Sequence, residues 1–226
     1  MSFIVIEGLD GSGKSTQVKL FKQYLQNQDI PYQYIHFPVT DSPVFGELVA
    51  KFLRGELGKN DEVNPYLVAL LYAGDRNNFK EKLNDWLSRG YLVLADRYVH
   101  SNIAFQCAKI DQYDERKKLR EWIYSTEYSY FNIPVPDKSV FLDVPFDFVK
   151  SKLVEERKGS ERDYLKGKDD IHEADLDFQE RVRKEYLELS EKDASLERIL
   201  CYNKEGEMLP PNIISEKVLH AFKPCL

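Results

Sequence analysis

The residues of this chain best equipped for chemistry lie close to its start, in Gly8-Leu9-Asp10-Gly11-Ser12-Gly13-Lys14-Ser15-Thr16. Gly8, Gly11 and Gly13 let the backbone curl so that successive N–H groups converge, and a helix opening near Lys14 adds its unsatisfied donors. Together they make a nest for phosphate oxygens. Lys14 can reach the outer phosphates of a bound nucleotide, and Ser15 offers a hydroxyl to a bound Mg2+.

Further candidates are spread along the chain. Tyr72 and Arg76 stand four apart on a helical stretch, so an aromatic ring and a guanidinium face the same way, as for a planar ligand; a core-edge tyrosine with a snorkelling arginine has the same spacing. Gly74 sits between them, where a helix interior favours alanine. Asp96-Arg97-Tyr98 ends an apolar run, placing a carboxylate for a metal ion and a guanidinium fork for a second phosphate group. Ser101, Asn102 and Gln106 follow within about two helical turns, with the paired donors and acceptors that read a base edge. The charge-dense stretch 155–173 holds Arg157, Lys158, Arg162, Lys166 and Lys168. Read alone it is a solvated loop; beside a phosphate nest it is a lid that closes over a transferring group and excludes water.

Such residues need a rigid frame. Phe3 to Ile6 is an uninterrupted apolar run, expected as a strand buried on both faces, and Gln17 onward carries apolar residues at helical spacing. Further strands are predicted at Tyr32 to Phe37, Tyr91 to Ala95, Ser139 to Val144 and Ile199 to Tyr202. Helices are predicted at Val44 to Leu53, Pro65 to Ser88, Asp111 to Phe131, Phe146 to Val154, Asp177 to Leu189 and Ile213 to Phe222. Strands alternating with helices give an α/β fold with a parallel sheet, whose ligands lie at the carboxyl ends of the strands.

The 226 residues suffice for one domain spanning 1–226, with the lid inside it. A formal charge of -6 offers no general basic surface for a nucleic-acid polymer, though a local basic cluster can hold a small anion. The odd, widely spaced Cys107, Cys201 and Cys225 suggest neither a disulfide framework nor a zinc site, and fit a reducing cytoplasm. Membrane insertion is not expected, since no apolar stretch approaches the span length, and neither is secretion, since Met1-Ser2 leads directly into the first strand without a charged and apolar signal.

Three motifs carry a resemblance over nearly the whole chain: Ile6 to Thr16, Leu71-Tyr72-Ala73-Gly74-Asp75-Arg76, and Asp96-Arg97-Tyr98-Val99-His100-Ser101-Asn102. In these the sequence resembles the thymidylate kinase family. The resemblance implies a five-stranded parallel sheet of the P-loop NTPase type, a homodimer, ATP and Mg2+, and transfer of a phosphoryl group to dTMP. It places Lys14 at the donor phosphates, Asp10 near the acceptor's sugar and phosphates, and Tyr72 against thymine. Arg76 and Asn102 then face the base edge, Arg97 the acceptor phosphate, Asp96 the metal, and Phe105 the 2' carbon of the sugar. Two departures stand out. The arginine expected after the second strand is missing from Phe37-Pro38-Val39-Thr40, and Gly11 occupies the place of a P-loop arginine found in one family branch. The catalytic arginine is then expected from the lid, as Arg157 or Arg162. Two alternatives stay open: a kinase for another nucleotide or a deoxynucleoside, with Glu7 placed as a base, and a P-loop protein that binds ATP without turnover.

Overall fold

The computed structural model describes residues 2–154, 164–167, 170–173 and 175–226. Five parallel strands form one sheet: β1 (Phe3–Glu7), β2 (Tyr32–His36), β3 (Leu92–Asp96), β4 (Lys138–Asp143) and β5 (Leu196–Leu200). Their spatial order is β2-β3-β1-β4-β5. β1 is central, and Phe3, Ile4, Val5 and Ile6 are all buried, each worth about 1.5–3 kcal/mol in apolar burial. The register sets Ile6 opposite Asp96 and His36 opposite Asp96, so the carboxyl ends of β1, β2 and β3 finish side by side.

The helices are α1 (Lys14–Asn27), α2 (Phe45–Leu53), α3 (Pro65–Ser88), α4 (Val99–Cys107), α5 (Tyr113–Tyr124), α6 (Phe146–Val154), α7 (Leu176–Lys192) and α8 (Pro211–Phe222). α1 packs with α8 on one face of the sheet, while α3, α4 and α7 cover the other. The Asn64 side chain caps α3 by accepting from the Tyr66 N–H, and Pro65 takes the first helical position, where no N–H is required.

Most predicted elements are present within a residue or two, and two differ for identifiable reasons. The segment expected as one helix to Phe131 changes at Ser125 into a π-helical turn that runs to Tyr130, where the Phe131 N–H bonds to the Thr126 carbonyl. The last strand begins at Leu196, three residues before the apolar run at Ile199. As an edge strand, β5 carries Glu197 and Arg198 in ion pairs with Lys138 and Asp143, so its charged residues do not mark a loop.

Candidate functional site

The strand ends and surrounding helices enclose a cleft of about 640 Å³. Asp10 to Thr16, Tyr72, Arg76, Asp96, Arg97, Ser101, Asn102, Phe105 and Gln106 all line it, so residues from three separate motifs converge on one cavity. Arg157 and Arg162 lie outside the described residues.

At one end, the β1–α1 turn is shaped by Gly13, which caps α1 at φ 86°, a conformation that a side chain would strain. The Lys14 ammonium donates to the carbonyls of Gly8 at 3.2 Å and Leu9 at 2.8 Å. Burial, and then the nearby Arg97 charge, push its pKa down to about 8. Arg97 follows β3 in the left-handed region at φ 66°, and its guanidinium donates to Asp10 at 2.6 Å and to the Ser101 hydroxyl at 3.2 Å. Burial opposes ionisation of Asp10. Arg97 and then Lys14 outweigh it and hold the carboxyl well below the usual range.

Asp96 is also buried, and burial opposes its charge; a bond to His36, with Lys14 and Arg97, keeps its pKa low. Its Oδ1 has no hydrogen-bond partner among the described residues. A deprotonated oxygen without a partner, with the Ser15 hydroxyl on the same cleft, is a donor set for a hard cation such as Mg2+.

Glu7 is not free for chemistry. It is fully buried and accepts from the Tyr98 and Ser101 N–H groups, the Ser101 hydroxyl and the Tyr186 hydroxyl. This network commits the Ser101 hydroxyl to Glu7 and Tyr186, with Arg97 donating to it.

At the other end, Tyr72 lines the cleft and Arg76 is almost fully buried. Arg76 donates from Nε and Nη2 to the two oxygens of Glu127, at 2.5 and 2.6 Å. Burial works against the guanidinium charge, but Glu127 more than offsets it and the pKa is raised. Asn102 gives its amide hydrogens to the Ala69 carbonyl and Glu127, at 3.0 and 2.9 Å. Gln106 is fully buried, and both polar atoms of its amide lack partners among the described residues. Gly74 has a packing reason: a Cβ there would lie 2.4 Å from the Phe45 ring of α2.

The wall between the two ends includes residues that sequence reasoning missed. The His172 ring packs against Phe52, Phe105 and Phe178, and Gln179 holds both the His172 carbonyl and Asp10. Asp170 accepts from the Tyr164 hydroxyl and the His172 N–H; burial and then Asp10 raise its pKa to about 7. These residues lie within or next to a charge-dense stretch whose composition reads as solvated. Glu127 was missed for the same reason, since an acidic residue in a polar helix gives no sign of burial.

The sequence profile of the thymidylate kinase family matches residues 6–207. This chain belongs to the thymidylate kinase family. It is 33% identical to a thymidylate kinase of Kosmotoga olearia over 225 residues, covering 99% of this chain and 96% of that protein. It is 30% identical to a thymidylate kinase of Mycobacterium tuberculosis over 188 residues, 83% of this chain and 85% of the relative. The fold is also that of a thymidylate kinase from Candida albicans, at a TM-score of 0.72 and 23% identity, with 99% of this chain and 92% of that one covered. Family membership accounts for the three convergent motifs, while His172, Asp170 and Glu127 are identified by their burial and contacts in this structure.

Proposed function

We propose that this protein transfers the γ-phosphoryl group of ATP to dTMP, giving dTDP and ADP. The observation that carries this reading is the two-ended cleft: a phosphate nest and Lys14 at one end, Arg97 between, and an aromatic ring with buried hydrogen-bonding groups at the other. An acceptor nucleotide with its own phosphate fits that sequence of groups. Gly8 to Thr16 holds the donor, Arg97 the acceptor phosphate, Asp10 the region of the sugar, and Tyr72, Arg76, Asn102 and Gln106 the base. Phe105 stands beside the sugar.

A phosphate oxygen of dTMP forms the new O–P bond as the bond from the γ-phosphorus to the β–γ bridging oxygen breaks, and the electron pair leaves on ADP. The attacking phosphate is already largely ionised near neutral pH, so no enzyme base is needed. Glu7, enclosed by its four donors, is withdrawn from that duty, which disfavours a deoxynucleoside kinase. Ser15 and Asp96 would hold Mg2+, which supplies charge neutralisation on the phosphate oxygens. Lys14, Arg97 and an arginine from the lid complete the electrostatic stabilisation. Arg157 is the better lid candidate, because in sequence it lies three residues past the end of α6 and before Gly159, whereas Arg162 lies beyond that glycine.

The reading extends to a single-domain homodimer in the cytoplasm. Leu67 and Leu70, one turn apart on α3, are 60% and 37% exposed and offer an apolar face to a second copy. A monomer in sedimentation at tens of micromolar would exclude the dimer. No helix among the described residues is long and apolar enough to cross a membrane. The reaction is tested by measuring ADP release with ATP, Mg2+ and a panel of nucleosides and monophosphates. dTMP is expected to react far faster than thymidine, dCMP or dGMP; equal rates for thymidine and dTMP would leave Arg97 no phosphate to hold, and binding of ATP without turnover on any acceptor would make the protein a non-catalytic P-loop protein.

A further inference from the structure

Glu127 lies at the meeting point of three elements, and its contacts fix the direction of every polar group around it. It stands on the π-helical turn Ser125–Tyr130 and is completely buried. Arg76 from α3 is committed to Glu127 through Nε and Nη2, which leaves Nη1 uncommitted to it, and Arg76 lines the cleft. Asn102 from α4 donates its amide nitrogen to Oε1, the oxygen that also accepts from Arg76 Nη2, and to the Ala69 carbonyl. Two acceptors at one end of an amide leave no choice of orientation. The nitrogen must point at Glu127 and Ala69, and the oxygen must point away. That oxygen is buried and has no partner among the described residues, and Asn102 is one of the residues that line the cleft.

We infer that Glu127 is a positioning residue that sets the base specificity of the cleft, by forcing Arg76 to present a donor and Asn102 an acceptor to the bound pyrimidine. The inference rests on the proposed acceptor site. A 4-keto pyrimidine offers the complement, an O4 acceptor beside an N3–H donor. Cytosine offers the reverse, an amino donor beside an unprotonated N3. Against this pair of protein groups cytosine meets donor with donor and acceptor with acceptor, which rejects it through repulsion as well as through lost bonds. Neither Arg76 nor Asn102 alone supplies the pattern, because an unrestrained amide can turn over and satisfy either base.

Glu127→Leu is close in volume and removes the oxygen that Arg76 Nη2 and Asn102 share, which allows the Asn102 amide to turn. The ratio of kcat/KM for dTMP to that for dCMP is expected to fall about thirtyfold, the scale of one well-formed pair of base-edge bonds. The change should lie mainly in the acceptor KM, with the KM for ATP unaltered. A ratio within about threefold of wild type, or equal losses on dTMP and dCMP, would overturn the inference and leave Glu127 a structural partner of Arg76. A second measurement needs no variant: the wild type should use the 3-deaza analogue of dTMP, which lacks the N3–H donor, about thirtyfold less efficiently than dTMP. Equal use of the two would show that the Asn102 oxygen reads nothing. Wild-type turnover of dTMP serves as the control, since its absence would overturn the reaction itself, whereas turnover with an unchanged ratio overturns only the role of Glu127.

Discussion

The two ends of the cleft are built by opposite means. The phosphate end is assembled from a turn and two strand termini, uses backbone N–H groups, and keeps its Arg97–Asp10 pair partly accessible, at 11% and 22% exposure. The base end is assembled from α3, α4 and the π-helical turn, and its Arg76–Glu127 pair is sealed from water. Charges at the first end are conditioned for transfer of an anionic group. Those at the second are committed to one another, and what remains for a ligand is the geometry they impose. Loss of a residue at the phosphate end should therefore slow the reaction, whereas loss at the base end should also weaken the fold.

The largest effect is expected from Arg76→Ala, which abandons a buried carboxylate and should cost about 3–5 kcal/mol of folding stability. Urea unfolding checks it, and a combined Arg76→Met, Glu127→Leu variant should recover most of the loss. A loss below about 1 kcal/mol in the single variant would erase the distinction between the two ends. At the phosphate end, Arg157→Ala is expected to lower kcat at least about a hundredfold with ATP binding much less affected. Arg162→Ala is the comparison that can reverse that assignment, if it proves the slower of the two. Arg97→Ala should lose more than about 2 kcal/mol of transition-state stabilisation for dTMP. Because Lys14 and Gln179 still face Asp10 when Arg97 is lost, the unfolding free energy should change less than in Arg76→Ala.

A smaller, pH-dependent effect belongs to the wall between the ends. Asp170 has its pKa raised from 3.8 to about 7, so the folded state holds a proton that the unfolded chain releases. Its contribution to stability is complete below the unfolded value and is lost as the pH rises through about 7. Asp170→Asn stays neutral throughout, so the wild type should lose roughly 1 kcal/mol or more relative to the variant between pH 5 and pH 8. Denaturant titrations of both proteins at the two pH values test this; parallel curves would mean that the carboxyl is not protonated in the folded state.

The contrast also explains how much of the molecule is legible in its sequence. Gly8 to Thr16 and Asp96-Arg97 are contiguous, and their chemistry follows from local geometry at a strand end, so the phosphate end can be read from the order of residues alone. The limits of α3 are equally plain from Asn64-Pro65 and the apolar spacing. At the base end, Arg76 and Asn102 are visible as polar groups on helices, but their orientation depends on Glu127, which is 51 residues from Arg76 and 25 from Asn102. No local pattern distinguishes that glutamate from the solvated acids around it. Gly74 is conspicuous in its helix, while the Phe45 ring that requires it lies on another element. His172 owes its burial to aromatic neighbours supplied by α2, α4 and α7, and Asp170 is held by the Tyr164 hydroxyl and the His172 N–H, which composition cannot show.

The placement of β1 at the middle of the sheet has a consequence for biosynthesis. Its neighbours are β3, whose last residue is Asp96, and β4, whose last residue is Asp143; the Phe3 N–H is tied to the Asp137 carboxylate. At roughly 5–20 residues per second of translation, the first strand is made and then waits about 7–30 seconds before its second neighbour has been synthesised. During that interval Phe3-Ile4-Val5-Ile6 is an apolar segment with an unpaired edge, the kind of surface that chaperones bind. Ribosome-bound chains arrested before β4 should accordingly be open to proteolysis near β1, and chains arrested well beyond Asp143 should be protected there.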